Sequence, residues 1–277
     1  SCTATLSSGS GNCSLISTSS GSKTLTASYS GDSVYDISDD TETHQVNKSA
    51  STTTITGDSP DPSSVGQSYT VSVSVSGTYG VGSGTVGVSD GSGGTCTVTL
   101  SGGSGSCSLT STSAGSKTLT ASFPGDAKYN SSSGTATHTV NKSASTTTIT
   151  SDLPDPSAVG QSFLVEVTVT GGFGTATGTV NVSDGSGATC SFTLSGGGGS
   201  CGLTSTSSGT KTVTASYGGD GAYNASSDTE THTVNKSATT TTITSDDPDP
   251  SVVGQSYTVN VTVSGSYGAP TGTVAIN

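Results

Sequence analysis

The sequence repeats itself every 94 residues, and this period limits the folds that the chain can adopt. The tripeptide Pro-Asp-Pro recurs at this interval, starting at Pro60, Pro154 and Pro248. The histidines and cysteines follow the same period, as His44, His138 and His232, and as the pairs Cys2 and Cys13, Cys96 and Cys107, and Cys190 and Cys201. A unit of this length is too long for the common helical and leucine-rich repeats, but it suits one small β-sandwich.

Short segments of alternating apolar and polar residues predict strands, and no segment has the apolar spacing of a helix. Between Lys48 and Asn141 the expected strands are Ser51–Thr56, Ser68–Ser76, Thr85–Ser89, Thr95–Leu100, Cys107–Thr112, Lys117–Phe123 and Thr135–Asn141. The fourth and fifth of these are expected to form a hairpin around the turn SGGSGS. We therefore predict an all-β chain of tandem immunoglobulin-like β-sandwiches, with about seven strands per repeat, stacked as a rod.

The period divides the chain into two complete repeats flanked by two halves. The complete repeats are residues 48–141 and 142–235, while residues 1–47 match the C-terminal half of a repeat and residues 236–277 the N-terminal half. Neither half can cover its apolar face alone, and exposed strand edges recruit partners. We therefore expect residues 236–277 to form one sandwich with residues 1–47 of the next copy, head to tail. The same neighbours could instead be covalently joined in one longer polypeptide.

The charge of the chain excludes some classes of partner. The formal net charge is −12, and the seven basic residues form no stripe. An acidic surface repels phosphate, so we expect no nucleic-acid partner. No run approaches the roughly 18 apolar residues of a membrane-spanning helix, so we expect no membrane insertion in this segment.

Four segments of one period carry a family resemblance: GQSYTVSVSVSG, GTVGVSDG, TLSGG and AGSKTLTASFPGDAKY. They resemble the bacterial Ig-like domain repeats found in tandem in long surface proteins. The resemblance covers the whole chain and recurs in every period. It implies an Ig-like fold and an extracellular setting, at the cell surface or in a secreted filament, but it does not define a ligand. The cysteine pair in each repeat departs from the usual pattern of the family.

The two cysteines of each repeat are 11 residues apart. In the expected hairpin Cys96 faces Cys107, so we predict a disulfide within each of the pairs Cys2–Cys13, Cys96–Cys107 and Cys190–Cys201. Two thiols per repeat without a suitably spaced pair of histidines make a poor zinc site. Closing a loop of about twelve residues would contribute roughly 3 kcal/mol to stability. Such disulfides imply an oxidising compartment.

Aspartates cluster in the proline-rich turns, near the expected junctions between repeats. Calcium prefers such oxygen-rich loops, which makes six residues candidate calcium ligands: Asp58, Asp61, Asp152, Asp155, Asp246 and Asp249. Asp beside Pro is also ordinary turn chemistry, so both interpretations stay open. No other metal or cofactor is predicted.

No arrangement of residues in the sequence indicates catalysis. Glu42 lies two residues before His44 and Glu230 two before His232, whereas the middle repeat has Ala136 at this position. No segment resembles the G-x-S-x-G nucleophile elbow of a hydrolase. We therefore predict that this segment is not an enzyme.

Two functional hypotheses follow from these patterns. The first is an extracellular structural protein, in which the repeat array forms a stalk, spacer or filament. The second is an adhesin module that binds a glycan or a protein through the loops of its sandwiches. The near-identity of the repeats favours the first hypothesis, because a binding site usually diverges in one domain.

Overall fold

The computed structural model describes residues 1–277, and every regular element in it is a β-strand. This confirms the predicted all-β fold of tandem sandwiches. The chain forms two compact units, Ser1–Asn141 and Lys142–Asn277. Each unit holds one complete repeat and one half repeat. None of the elements is a long apolar helix of the kind that spans a membrane.

The first unit contains eleven strands. The leading half supplies β1 (Gly21–Tyr29) and β2 (Ser38–Val46), which pair with each other. The complete repeat supplies β3 (Ser51–Ser59), β4 (Ser63–Ser64), β5 (Ser68–Gly77), β6 (Gly80–Val81), β7 (Gly84–Ser89), β8 (Thr95–Leu100), β9 (Ser104–Thr110), β10 (Gly115–Phe123) and β11 (Ser132–Asn141).

The second unit repeats this order. Its complete repeat supplies β12 (Ser145–Leu153), β13 (Ser157–Ala158), β14 (Ser162–Gly171), β15 (Thr179–Ser183), β16 (Thr189–Thr193), β17 (Gly198–Thr204), β18 (Gly209–Tyr217) and β19 (Ser226–Asn235). The trailing half supplies β20 (Thr239–Asp247) and β21 (Thr258–Gly265), which pair with each other.

Each complete repeat is a sandwich of two sheets. In the first unit, one sheet has the order β4-β11-β10-β7-β8, and the other joins β3, β5 and β6, with β9 also paired to β5. The second unit has the corresponding sheets β13-β19-β18-β15-β16 and β12-β14-β17. Apolar side chains from the two sheets meet between them, including Val71, Val73, Leu119 and Phe123. Alternation along the strands therefore buries one face of each sheet, as the sequence predicts.

The predicted hairpin between the fourth and fifth strands is wrong. β8 pairs with β7 and places Cys96 opposite Val88, whereas β9 pairs with β5 and places Cys107 opposite Val71. The two strands therefore lie in opposite sheets. Alternation shows which face of a strand is buried, but it does not show which sheet the strand joins, because both inner faces are apolar.

At the proline-rich turn the structure differs from the predicted strands in two ways, and both bring polar residues to β11. β3 continues beyond its predicted end at Thr56, through a bulge after Ile55, as far as Ser59. β4 forms within the turn and pairs in parallel with the end of β11. Proline is tolerated beside such a short edge strand. As a result Asp58 and Ser63 both reach β11.

Candidate functional site

A polar cluster centred on the buried His138 lies where β3, β4 and β11 meet. The Nε2 atom of His138 lies 2.8 Å from the Ser63 hydroxyl oxygen, and its Nδ1 atom lies 2.5 Å from a carboxylate oxygen of Asp58. The Asp61 carboxylate is 3.5 Å from the same Nδ1 atom. Asp61 is held in place because it accepts the backbone N–H of Thr139 at 2.9 Å. The cluster therefore joins both ends of the proline-rich turn to one strand.

The hydrogen bonds define the roles of the two ring nitrogens. A carboxylate only accepts hydrogen bonds, so Nδ1 donates its proton to Asp58. In the neutral ring Nε2 is then the acceptor, and Ser63 donates its hydroxyl proton to it. The ring also lies parallel to that of Tyr69, with 3.8 Å between centroids. Both ring nitrogens and one face of this buried imidazole are thus in contact with a partner.

The second unit contains the same cluster. His232 lies 2.8 Å from the Ser157 hydroxyl and 3.0 Å from the Asp152 carboxylate. Asp155 is 3.6 Å from the ring nitrogen, and the ring of Phe163 is stacked on the imidazole at 3.7 Å. Phe163 replaces the tyrosine of the first unit, so the stacking needs an aromatic ring and not a hydroxyl group.

Hydrogen bonds link Ser63, His138 and Asp58 in the same way as the Ser, His and Asp of a hydrolase triad. The burial of the serine, however, differs from that of a hydrolase. In a hydrolase the serine oxygen attacks the substrate directly, so it must be reachable. Ser63 is 1% exposed and His138 is 0% exposed. The hydroxyl group therefore contacts only the protein interior, and the arrangement serves to stabilise the fold.

The same cluster bears on the predicted calcium ligands. The structure brings Asp58 and Asp61 together with His138, and their ligand atoms lie within 4.8 Å of one another. Calcium takes about six to eight oxygen ligands, whereas this set offers two carboxylates and one nitrogen that is already bonded to Asp58. The set is a poor match for calcium. Asp152 and Asp155 are in the same situation beside His232, while Asp246 and Asp249 are exposed in the trailing half.

Sequence reasoning missed the serine and the histidine as members of this cluster. The signal that could have found them is the shared period, because Ser63, Ser157 and Ser251 recur with the aspartates and the histidines. The period shows that the residues are repeated, but it does not show that they touch. Contact depends on the bulge in β3 and on the pairing of β4.

A second buried carboxylate holds the turn after β7. Asp90 is 1% exposed and accepts hydrogen bonds from the backbone N–H groups of Ser92 and Gly94, both at 2.8 Å. It also accepts the hydroxyl proton of Ser111 at 2.6 Å. Burial alone would raise the pKa of Asp90, but these hydrogen bonds and the charge of Lys117 outweigh it and lower the pKa below its usual value. The ionised form of Asp90 therefore stabilises the fold.

The cysteines are bonded in the pairs Cys2–Cys13, Cys96–Cys107 and Cys190–Cys201. In the first complete repeat the bond joins β8 to β9, and the two Cα atoms are 6.0 Å apart. Because these strands lie in opposite sheets, the disulfide ties one sheet of the sandwich to the other. No cysteine is free.

The two half repeats expose the faces that complete repeats bury. In the leading half, Tyr35 is 68% exposed, whereas its counterpart Tyr129 is 0% exposed. In the trailing half, Tyr257 is 57% exposed, whereas its counterpart Tyr69 is 1% exposed. Other apolar side chains of the halves are also exposed, including Leu6, Leu15, Leu25, Val253, Val274 and Ile276. Each half therefore presents an open apolar face at the positions that form the core of a complete repeat.

The fold and these sites define a class of protein, a tandem array of Ig-like β-sandwiches. The sequence model for the bacterial Ig-like domain (group 3) matches residues 55–141 and 149–235. These two matches cover more than half of the chain, so the chain belongs to the bacterial Ig-like domain family. The match confirms the resemblance read from the sequence motifs.

Several solved structures are similar to the chain. They include the fibronectin(III)-like modules of Clostridium thermocellum CbhA, at 15% identity and a TM-score of 0.29, with 66% of this chain and 94% of that chain covered. Invasin, a bacterial integrin-binding protein, has 18% identity and a TM-score of 0.44, with 71% and 42% covered. The Escherichia coli adhesin FdeC has 17% identity and a TM-score of 0.29, with 70% and 68% covered. No curated protein sequence matches the chain. The family assignment therefore rests on the sequence match.

Proposed function

We propose that the chain is an extracellular structural protein whose repeats form a stalk, spacer or filament, extended head to tail by completion of its half repeats. The observation that carries this proposal is the pair of open apolar faces, one in residues 1–47 and one in residues 236–277. Buried apolar surface contributes about 25 cal/mol per Å², so covering both faces favours association. The contact joins different surfaces of two copies, and such a contact builds an open filament when the rotation between successive copies does not close a ring.

The two halves together contain one full set of core positions. The trailing half carries the counterparts of the core residues of β5 and β7, and the leading half carries those of β8 to β11. Tyr257 and Val274 correspond to Tyr69 and Val86, for example, and Leu25 corresponds to Leu119. A second copy of the chain thus carries the core positions that each half lacks. The same faces would meet between consecutive repeats of one longer polypeptide.

A glycine in the trailing half supplies a steric test of this fit. In the second complete repeat, a Cβ atom at Gly171 would overlap the ring of Tyr223. The counterparts of these residues are Gly265 and Tyr35. A Cβ atom at Gly265 would have only ordinary contacts, the nearest being the Ala238 carbonyl oxygen at 3.5 Å. Space for the Tyr35 ring of another copy is therefore open beside Gly265.

The proposal also includes an extracellular location and a role without catalysis. Disulfides persist in oxidising compartments, which supports an extracellular location. The serine and histidine of the buried cluster are out of reach of any substrate, which supports a role without catalysis. The two complete repeats have the same cluster and the same acidic turn, which favours a structural array over an adhesin with one specialised domain.

The experiment uses two full-length variants, each with one end blocked. Gly265→Val fills the space for Tyr35 and blocks the trailing half, while Tyr35→Asp places a charge in the core position of the leading half. We expect the unaltered chain to form oligomers that grow with concentration in sedimentation velocity runs. Each variant alone should stay monomeric. An equimolar mixture should give a 1:1 dimer and nothing larger, because only one productive contact remains.

Gly57→Val is the matched control, because a Cβ atom at Gly57 meets nothing within 4 Å. This variant should form oligomers like the unaltered chain. The proposal is wrong if the unaltered chain stays monomeric at high concentration, or if blocking both ends leaves the oligomers unchanged.

A further inference from the structure

An open groove of about 510 Å³ is lined by residues of the leading half and of the first complete repeat. Its lining includes Leu15, His44 and Tyr79. The counterparts of Leu15 and His44 are Leu109 and His138, which are 2% and 0% exposed. In a complete repeat this surface is therefore covered by a segment from the N-terminal half of the repeat, which residues 1–47 do not contain.

In a complete repeat the cover is the turn that contains β4. Gly66 donates its backbone N–H to the Ser111 carbonyl oxygen at 3.0 Å, and Val65, only 2% exposed, donates to the Asn141 carbonyl oxygen at 2.9 Å. Ser63 bonds to His138 from the same turn. The counterpart of this turn in the trailing half is residues 251–257, where Val253 is fully exposed. The turn and the groove thus lie in opposite halves of the chain.

The second unit shows how the following repeat contacts such a turn. A Cβ atom at Gly160 would overlap the ring of Tyr267, and Ser237 donates its hydroxyl proton to the Val159 carbonyl oxygen at 2.8 Å. The counterpart of Gly160 in the trailing half is Gly254, where a Cβ atom would meet nothing within 4 Å. Tyr79 is the counterpart of Tyr267, lies beside the groove and is 74% exposed. For this second contact, too, the glycine is available in the trailing half and the tyrosine is available beside the groove.

We propose that the groove is the docking site for residues 251–257 of a second copy, and that His44 is the residue by which the two copies recognise each other. His44 takes the position that His138 and His232 hold in the complete repeats. Its ring nitrogens then bind Asp246 and Ser251 of the second copy, and its ring stacks on Tyr257. The inference rests on the proposed head-to-tail completion, and it names the residues that make that contact selective.

The selectivity comes from the cost of burying charge. Completion moves the Asp246 carboxylate from solvent to a site like that of Asp58, whose side chain is 14% exposed. A carboxylate buried without a donor is strongly unfavourable, whereas a hydrogen bond from the imidazole compensates it. A partner or a register that does not place a histidine there leaves the charge unpaired. Apolar burial thus supplies affinity, and His44 rejects wrong partners.

The test measures dissociation constants between two full-length chains, each with one end blocked as above. Gly265→Val leaves the leading half with His44 open, and Tyr35→Asp leaves the trailing half with Asp246 open. We expect His44→Ala, added to the first chain, to weaken binding roughly tenfold to a hundredfold, because it removes hydrogen bonds to a charged group. Asp246→Asn, added to the second chain, should weaken binding as well. The two changes combined should cost clearly less than the product of the two separate effects, because they remove the same contact.

Thr43→Ala is the matched control for His44→Ala. Thr43 is the neighbour of His44 on β2, and its counterpart Thr137 is exposed in the complete repeat, so the dissociation constant should stay within about twofold. If the blocked pair binds but His44→Ala has no larger effect than Thr43→Ala, the recognition role of His44 is wrong and the proposed function stands. Independent, multiplicative effects of His44→Ala and Asp246→Asn would likewise overturn the direct contact. If the blocked pair does not bind at all, the proposed function fails, and this inference fails with it.

Discussion

The imidazole ring of His138 lies parallel to the phenol ring of Tyr69, with 3.8 Å between the ring centroids and 13° between their planes. His138 belongs to β11 in one sheet and Tyr69 to β5 in the other, so the stacked pair spans the sandwich. The edges of the imidazole bind Asp58 of β3 and Ser63 of β4. One buried side chain therefore connects four strands of the repeat.

Replacing this histidine should destabilise one repeat and leave the other unchanged. His138→Ala leaves the Asp58 carboxylate and the Ser63 hydroxyl group without their buried partner, and we expect a loss of about 2–3 kcal/mol in the opening free energy of residues 48–141. Hydrogen exchange followed by mass spectrometry measures this for each repeat separately. Peptides from residues 142–235 serve as the internal reference. Equal protection in both repeats would contradict the role given to His138.

Removing the inter-sheet disulfide should have a comparable effect. Replacing both Cys96 and Cys107 by serine opens the loop between β8 and β9, and the chain-entropy model expects a loss of roughly 3 kcal/mol. The urea midpoint of residues 48–141 should fall, and reducing agent should have no further effect on that repeat. In the unaltered chain, a thiol titration after denaturation without reduction should find no free thiol. Six free thiols would show that the bonds are absent.

The acidic turn after β7 should make stability depend on pH. The pKa of Asp90 in the folded chain is lower than in the unfolded chain, despite burial, because of its hydrogen bonds and the charge of Lys117. The resulting stabilisation is fully present above the unfolded-state pKa of about 3.9 and is lost as the pH falls through the lower, folded-state value. Asp90→Asn should therefore be less stable at pH 7 and should lose less stability between pH 5 and pH 2. Urea midpoints across this range test it, and Asp36→Asn, on the exposed surface of the leading half, is the control.

An added methyl group should destabilise the chain at Gly77, at the end of β5, but not at Gly57 in β3. A Cβ atom at Gly77 would overlap the ring of Tyr129 and lie 2.9 Å from the Ala50 carbonyl oxygen, whereas one at Gly57 meets nothing within 4 Å. Gly77→Ala should therefore cost about 1–3 kcal/mol through overpacking. Gly57→Ala should change stability by less than about 0.5 kcal/mol. Thermal unfolding of the two variants makes the comparison, and equal losses would show that Gly77 is not confined by the ring.

The sequence determined the features that depend on periodicity and alternation. The 94-residue interval of Pro60, Pro154 and Pro248 set the size of the repeat, and alternation in residues 68–76 set the buried face of β5. These properties are local, because each strand carries its own pattern of apolar and polar side chains. The family resemblance followed from the same short segments.

Only the tertiary structure decided which strands share a sheet and which polar groups meet. β8 and β9 carry the same kind of alternation whether they pair with each other or join opposite sheets, so the local pattern could not separate the two arrangements. Asp58 and His138 are 80 residues apart, and their contact depends on a bulge in β3 and on a two-residue edge strand in a proline-rich turn. Contacts of this kind form only when distant strands are packed together, because their energy comes from burial and from hydrogen bonds that no single segment contains.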